Sequence, residues 1–514
     1  MDRKWWTLVT VCIGTFMLLL DITIVNVALP KIQAGLHSSF VDLQWVIDAY
    51  ALTLAALLLT SGSVADLLGR RRVFTIGLVL FAGASLLCGV AQSPVMLDLS
   101  RGVQGIGGAM MFATSLALLG HAYRGRERGI AFGVWGAVTG AAVSIGPVVG
   151  GALTDALSWR WIFLVNVPIG ALALVLTLSN VSESRDPQGA RLDFPGFVTF
   201  SAALGALVLG LIESSQKGWR STLVEACLIA SVVLIVLFVA VEHRQRTPML
   251  DLSLFRRPAF DGASLVAFSL SASLFAMFLY ITLYLQDLLG LSPLQSGLRL
   301  LSLSGLILIT AAIAGRLTTV VPVRLLMGAG LTLVGVSLFL MRGLTPTSQW
   351  THLLPGFIVG GIGVGLINPP LASTAIAVVP PRQAGMGSGI NSTFRQVGIA
   401  TGIAGLGSIF SGQVRDHVIS GLRAAHQGGA HAIATAISNG QIGPAIAHVP
   451  PRARAAVTEV VRTSFVAGLN DIFLVAAIVA LVGAAGAFLL IRSRDFVAQT
   501  DAQPDRPAPE PLAA

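Results

Sequence analysis

Charge is what this sequence lacks. Only 11% of its 514 residues are Asp, Glu, Lys or Arg and 54% are hydrophobic, whereas soluble domains carry roughly 25% charge. With a mean hydropathy of +0.81, the chain is excluded from the ordinary soluble enzymes and binding modules. Lysine is confined to Lys4, Lys31 and Lys217, so the formal charge of +9 is carried almost wholly by arginine. Those arginines sit in short loops between apolar runs and not on one long basic element, which argues against a nucleic-acid partner. Cysteine is scarce too. Cys12, Cys88 and Cys227 all fall inside apolar stretches, and an odd count at membrane depth excludes a disulfide framework. The eight histidines form no HExxH or paired metal spacing, and no G-x-x-x-x-G-K-[ST] phosphate loop occurs. Metal-dependent hydrolysis and ATP-driven work are therefore not indicated, no cofactor is expected, and energy must come from an ion gradient.

What is present is a series of apolar runs, each near the roughly 20 residues that cross a bilayer as a helix, and about fourteen of them are expected. They are placed near 7–29, 44–63, 73–91, 97–119, 130–152 and 161–180; then 194–212 and 221–241; then 260–286, 296–315, 325–341, 353–379, 388–410 and 470–491. The first is read as a retained span, because no small-residue cleavage pattern ends it. This predicts an all-α integral membrane protein. An N-terminal six-helix bundle occupies 1–182, two accessory spans with their loops 183–258, and a second six-helix bundle 259–492. A long external loop at 411–469 and a disordered tail at 493–514 complete it. The alanine-rich pieces Ile419–His426 and Ala453–Ser464 are expected as surface helices.

Basic loops at Arg70–Arg72 and at Arg124, Arg126 and Arg128 alternate with weakly charged turns near Lys31 and Ser93. By the positive-inside rule both termini are cytoplasmic. A faint repeat relates Gly62-Ser-Val-Ala-Asp66-Leu-Leu-Gly69-Arg70-Arg71 to Gly315-Arg-Leu-Thr-Thr319-Val-Val-Pro322-Val-Arg324, each following the second helix of its set. Internal duplication is a mark of two-halved transporters.

Several residues break the apolar pattern. Asp21 lies mid-span, where a carboxylate costs several kcal/mol unless protonated, paired or hydrated, and is a functional candidate by default. Arg101 lies about one turn into the fourth span, at similar depth, and Gln104, Gly105 and Gly108 continue its face. An arginine does not itself release a proton, but it can tune a carboxylate that does; a static buried ion pair is the other reading. Asp48, near Trp45 and Tyr50, reads either as a site for a lipophilic cation held by charge and cation–π contact, or as a rim residue reaching water. Asn368, followed by Pro369 and Pro370, and Asn391, followed by Arg395 and Gln396, read equally as cavity amides or as helix-to-helix bonds. Phe275, Phe278 and Tyr280 fit a cavity wall or a lipid-facing stripe. The run Gly136–Gly151 places Gly136, Gly140, Ser144, Pro147 and Gly151 on one small-residue face, with a bend allowed where Pro147 deprives the Val143 carbonyl of its partner.

Gly62–Phe74, GSVADLLGRRRVF, resembles the signature loop between helices two and three of the major facilitator superfamily. Leu20–Pro30 (LDITIVNVALP), Trp159–Pro168 (WRWIFLVNVP) and Gly146–Gly151 (GPVVGG) are similar to first-, sixth- and fifth-helix motifs of its fourteen-helix drug:proton antiporters, the EmrB/QacA type; Tyr284-Leu-Gln286 and Ser292-Pro293 extend the likeness. The resemblance implies two six-helix bundles plus two accessory helices. It also implies proton-coupled export of amphipathic, cationic drugs across the bacterial cytoplasmic membrane, by a protein functional as a monomer. Asp21 and Arg101 would couple protons, and Asp48, Trp45, Tyr50, Gln104, Asn368 and Asn391 would meet substrate. Gly62, Asp66, Gly69, Arg70 and Arg71 would form the conformational gate, and Gly140, Gly146, Pro147, Gly150 and Gly151 the antiporter helix. An exporter dedicated to one metabolite or antibiotic is the principal alternative, followed by a proton-coupled nutrient importer.

Overall fold

Helix is the only regular structure among the described residues, as it must be where no water meets the backbone and no sheet closes. The computed structural model describes residues 3–123, 125–185, 193–245, 248, 250–318, 320–378, 384–424 and 451–492. Its helices are α1 (Arg3–Leu36), α2 (Phe40–Leu68), α3 (Arg70–Gly89), α4 (Pro94–Ala122), α5 (Gly125–Ala156), α6 (Trp161–Asn180), α7 (Phe194–Lys217), α8 (Thr222–Arg244), α9 (Pro258–Leu288), α10 (Pro293–Leu317), α11 (Val323–Leu340), α12 (Leu354–Ala377), α13 (Ala384–Ala424) and α14 (Pro451–Leu490). Thirteen are long and apolar enough to span, and the bent α5 makes fourteen.

Local chemistry sets the helix starts. Ser39 caps α2 in a reciprocal box with Asp42, and Ser292 caps α10 likewise with Gln295. Pro94 and Pro293 occupy first-turn positions, where a missing N–H costs nothing. Within α6, Pro168 offers no N–H to the Leu164 carbonyl, and the helix is interrupted between Leu164 and Asn166. In α9, two π-turns at Ser271–Phe275 and Tyr284–Leu288 re-aim the side chains around Phe275 and Gln286.

The halves α1–α6 and α9–α14 meet along α2–α13, α5–α10 and α1–α9. On the first seam, alanines make the approach possible: Ala51 and Ala55 of α2 cluster with Ala400 and Ala404 of α13. Leu204, Val208 and Ile212 of α7 join that cluster, so the first accessory helix closes the α2–α13 seam while α8 packs on α7 and shows most of its surface outward.

α13 and α14 run beyond the expected span limits of 410 and 470. Phe410, Val414, Val418 and Leu422 recur every four residues and pack against Val457, Val461 and Phe465, with the Phe410 and Phe465 rings 5.0 Å apart. The stretches expected as separate surface helices are therefore continuations of two spans, welded by one apolar stripe. Residues 425–450 and the tail from 493, as well as Thr319 of the repeat, lie outside the described residues.

Candidate functional site

Asp21 is fully buried in the N-terminal half and is the hub of a polar network (0% exposed). One carboxylate oxygen accepts from Arg101 Nη1 at 2.5 Å; the other accepts from Gln104 Nε2 and from Asn166 Nδ2, both at 2.9 Å. Arg101, 1% exposed, also donates to the Val46 carbonyl at 2.9 Å and to Gln104 Oε1 at 2.6 Å. Its guanidinium carbon stands 4.3 Å from the centre of the Tyr50 ring. Ser85 accepts from Gln104 at 2.8 Å. Four helices thus converge on one carboxylate: α1 supplies the charge, α4 the cation and the amide, α3 the hydroxyl, and α6 the second amide. The glycines of α4 make this approach possible, since a Cβ on Gly105 would lie 2.5 Å from the Tyr50 carbonyl oxygen. Gln104, expected at the substrate, belongs instead to this charge network. Asn166 and Ser85 were not singled out in the sequence.

Asp48 lies within the fold and not at a rim, with 0% exposure and no hydrogen-bond partner at either carboxylate oxygen. Of the two aromatics expected beside it, Tyr50 points away. Positions 48 and 50 are separated by about 200° around a helix of 3.6 residues per turn. Tyr50 accordingly turns to Arg101, while Trp45 packs against the α7 cluster. One turn before Asp48 on α2, Gln44 donates to the Ile403 carbonyl of the other half at 3.1 Å, and the Tyr280 hydroxyl donates to the same carbonyl at 2.7 Å.

Between the halves lies an apolar cavity. It is bounded by Ile22, Thr23, Asn26 and Val27 of α1, Ile47 of α2, Pro147 of α5, Phe275 and Phe278 of α9, Leu300, Ser304 and Ile307 of α10, and Ile399 and Ile403 of α13. Phe275 and Phe278 therefore form wall, and their rings lie 5.9 Å apart. Thr23 and Asn26 are polar wall residues that their apolar surroundings concealed in the sequence. Each bonds a carbonyl of its own helix: Thr23 donates to Leu20, and Asn26 to Ile22. Asp21 precedes this wall by one residue, so α1 shows its carboxylate to α4 and α6 and its next residues to the cavity. Asn368 and Asn391 are not among the lining residues. Asn368 accepts from Arg395, and Asn391 donates to the Ala263 carbonyl at 3.5 Å, so both link helices of the second half.

The glycine-rich α5 serves two faces. Gly140, Pro147 and Gly151 face α10: a Cβ on Gly140 would stand 3.3 Å from Leu308, one on Gly151 2.5 Å from the Pro293 carbonyl, and one on Gly297 would strike the Pro147 carbonyl. Gly146 and Gly150 face α1, against Thr23 and Ile24, while a Cβ on Gly136 would meet no described atom within 4 Å beyond its own helix backbone. The arms Val134–Ala142 and Ile145–Ala156 meet at 43°, beside the carbonyl that Pro147 leaves unpaired. At the end of this helix, Asp155 accepts from Ser292 Oγ at 2.6 Å and from the Leu294 N–H at 3.3 Å, and nearby Gln286 donates to the Val27 carbonyl at 2.7 Å. These contacts join the halves at the face opposite the Arg70–Arg72 loop.

That loop is docked within its own half. Gly69 has φ +110°, a conformation that disfavours any side chain. Beyond it the Glu183 carboxylate accepts from the N–H groups of Arg71 and Arg72, at 3.0 and 3.2 Å, at the start of α3. Arg71 donates to the Leu178 carbonyl at 2.7 Å, and the Arg70 N–H to the Ser184 carbonyl at 3.0 Å. A Cβ on Gly69 would lie 2.6 Å from the Glu183 carboxyl carbon. A Cβ on Gly62 would meet no described atom within 4 Å beyond its own helix backbone, and the Asp66 side chain lies outside those described.

Comparison with known proteins agrees with this architecture. The family model described as Major Facilitator Superfamily matches residues 11–403. The Multidrug resistance protein Stp of Mycobacterium tuberculosis is 38% identical over 79% of this chain and 75% of its own. The Puromycin resistance protein pur8 of Streptomyces alboniger is 38% identical over 80% and 82%. The Tetracenomycin C resistance and export protein of Streptomyces glaucescens is 32% identical over 99% and 94%. Among solved structures, a bacterial homolog to the human lysosomal transporter Spinster, in its inward-facing and occupied conformation, superposes with a TM-score of 0.62 over 96% of this chain and 98% of that one, at 18% identity. The peptide transporter POT in complex with sulfate gives 0.62 over 94% and 95%, at 14% identity. The chain belongs to the major facilitator superfamily and is a multi-pass membrane transporter, not an enzyme.

Proposed function

We propose that this transporter exports amphipathic drugs or toxic compounds, cations among them, in exchange for protons by alternating access. It works as a monomer in the bacterial cytoplasmic membrane with both termini inside. The observation that carries the reading is the Asp21–Arg101 pair: a carboxylate buried beside the cavity wall, balanced by one guanidinium that has two further acceptors, the Val46 carbonyl and Gln104. Unpairing such a charge is costly, and taking up a proton removes the cost. In this mechanism Arg101 leans toward Val46 and Gln104 as the halves rock, Asp21 is protonated, and return of Arg101 expels the proton on the other side. Gln104 and Asn166 hold the carboxylate in place throughout. Asp48, unpartnered at the junction of the halves, supplies negative charge for a cationic substrate.

The direction of transport is supported by relatives whose names state resistance and export, and by α5, which seals against α1 and α10 with backbone contacts too close for side chains. The basic loop acts as the gate through its docking on Glu183. The test is efflux of fluorescent lipophilic dyes from energised cells expressing the protein, with and without a proton uncoupler. Uncoupler-sensitive export of at least one member of a broad cationic, neutral and anionic panel is expected; export of none would overturn the proposal.

A further inference from the structure

Arg395 is an arginine at membrane depth without a counter-ion. It lies on α13 one and two turns before Ile399 and Ile403, both of which line the cavity, so the three residues share a helix face. Among the described residues no carboxylate comes within ion-pair distance of it, in contrast to Arg101. One terminal nitrogen donates to Asn368 on α12, while its Nε is buried with no acceptor. A neutral amide oxygen fixes the guanidinium without neutralising it. Arg395 is half-buried, and its buried Nε–H, left without an acceptor, carries an uncompensated desolvation cost. Helix-to-helix adhesion alone would be served by a glutamine at no such cost.

We propose that Arg395, positioned by Asn368, is an anion subsite of the transport pathway, which takes the carboxylate or phenolate of an amphipathic substrate whose apolar body lies against Ile399, Ile403 and Phe275. The guanidinium is a planar array of donors suited to a carboxylate, and with one terminal nitrogen held by Asn368 its Nε–H remains a donor without an acceptor. Asp48 lies on the facing helix α2, whose Gln44 bonds the Ile403 carbonyl and whose Ala55 carbonyl accepts from Thr393. The two antiparallel helices therefore carry an acidic and a basic side chain, neither in an ion pair among the described residues, on either side of one seam, and the pathway offers both kinds of group. It accepts acids and zwitterions as well as cations. This inference rests on the export reading for its physiological meaning, but its test does not.

The test is equilibrium binding to the purified full chain in detergent, followed by fluorescence anisotropy, with rhodamine 110, which carries a free carboxylate, and rhodamine 123, its methyl ester. Arg395→Gln is expected to weaken rhodamine 110 at least tenfold and leave rhodamine 123 within twofold, whereas Arg395→Lys, which keeps the charge, recovers part of the loss. Equal effects on both dyes, or none on either, would overturn the anion subsite, as would a wild-type protein that binds the ester and not the acid. If the wild type binds the acid through Arg395 but exports no dye from cells, the subsite stands and the export reading falls.

Discussion

Replacing Asp21 by Asn and Arg101 by Met, singly and together, separates a coupling pair from a structural one. Asp21→Asn leaves the buried guanidinium facing a neutral amide, with the Val46 carbonyl and Gln104 as its other acceptors and no negative charge to balance it. Arg101→Met leaves the carboxylate with two neutral amide donors, Gln104 and Asn166. Breaking a buried pair from either side costs about 3–5 kcal/mol, whereas removing both charges together is close to neutral. The double variant is therefore expected to fall short of the sum of the singles by about 3 kcal/mol or more. Equilibrium unfolding in mixed micelles measures this. The second arm is transport in proteoliposomes under an imposed pH gradient: the double variant, though folded, is expected to show no proton-coupled flux. Additive singles would refute the geometry of the pair. A double variant that pumps at the wild-type rate would refute its role in coupling.

Other expectations follow from single contacts. Gly146→Val and Gly150→Val place side chains on Thr23 and Ile24 and should lower the yield of folded protein sharply, whereas Gly136→Ala, with open space around it, should match wild type in size-exclusion profile and transport. Gly69→Ala must adopt φ +110° against Glu183 and should cost more than about 1 kcal/mol of stability; Glu183→Gln, which keeps an acceptor for one α3 N–H group but loses the charge, should cost less. Cysteines at Asp155 and Ser292, whose side chains now touch at 2.6 Å, should cross-link under mild oxidation. Transport should stop and recover on reduction; undiminished transport by the cross-linked protein would show that this face need not open.

Helices were legible in the sequence because a membrane leaves them no alternative, and Asp21 and Arg101 because charge at that depth has few explanations. What stayed hidden was lateral. Asp48 and Tyr50 are neighbours in sequence, yet helical geometry turns Tyr50 to Arg101 while Asp48 stays buried without a hydrogen-bond partner. Asn166 lies in an apolar run whose pairing with Asp21 the sequence does not show, and Ser85 looks like any small residue of a packed helix. Thr23 and Asn26 each bond their own helix, a habit that in sequence is indistinguishable from filler. The stripe Gly140, Pro147, Gly151 was visible from its spacing, and α10 is the partner that packs on it. That Gly146 and Gly150 serve a second face, toward α1, follows from the three-dimensional crowding around α5. The limits of α13 and α14 were set too short because the apolar stripe that welds them continues past the span on helices whose other faces are polar.

The central claim is that Asp21 is where proton and substrate transport meet, and its most direct test is substrate-driven proton movement. Purified wild type and Asp21→Asn, in proteoliposomes loaded with a pH-sensitive dye and given the same exported substrate, are compared for proton flux and for substrate binding. Substrate-dependent proton flux is expected in the wild type and none in Asp21→Asn, with substrate binding preserved in both. Undiminished, substrate-dependent proton flux in Asp21→Asn would remove Asp21 from the coupling.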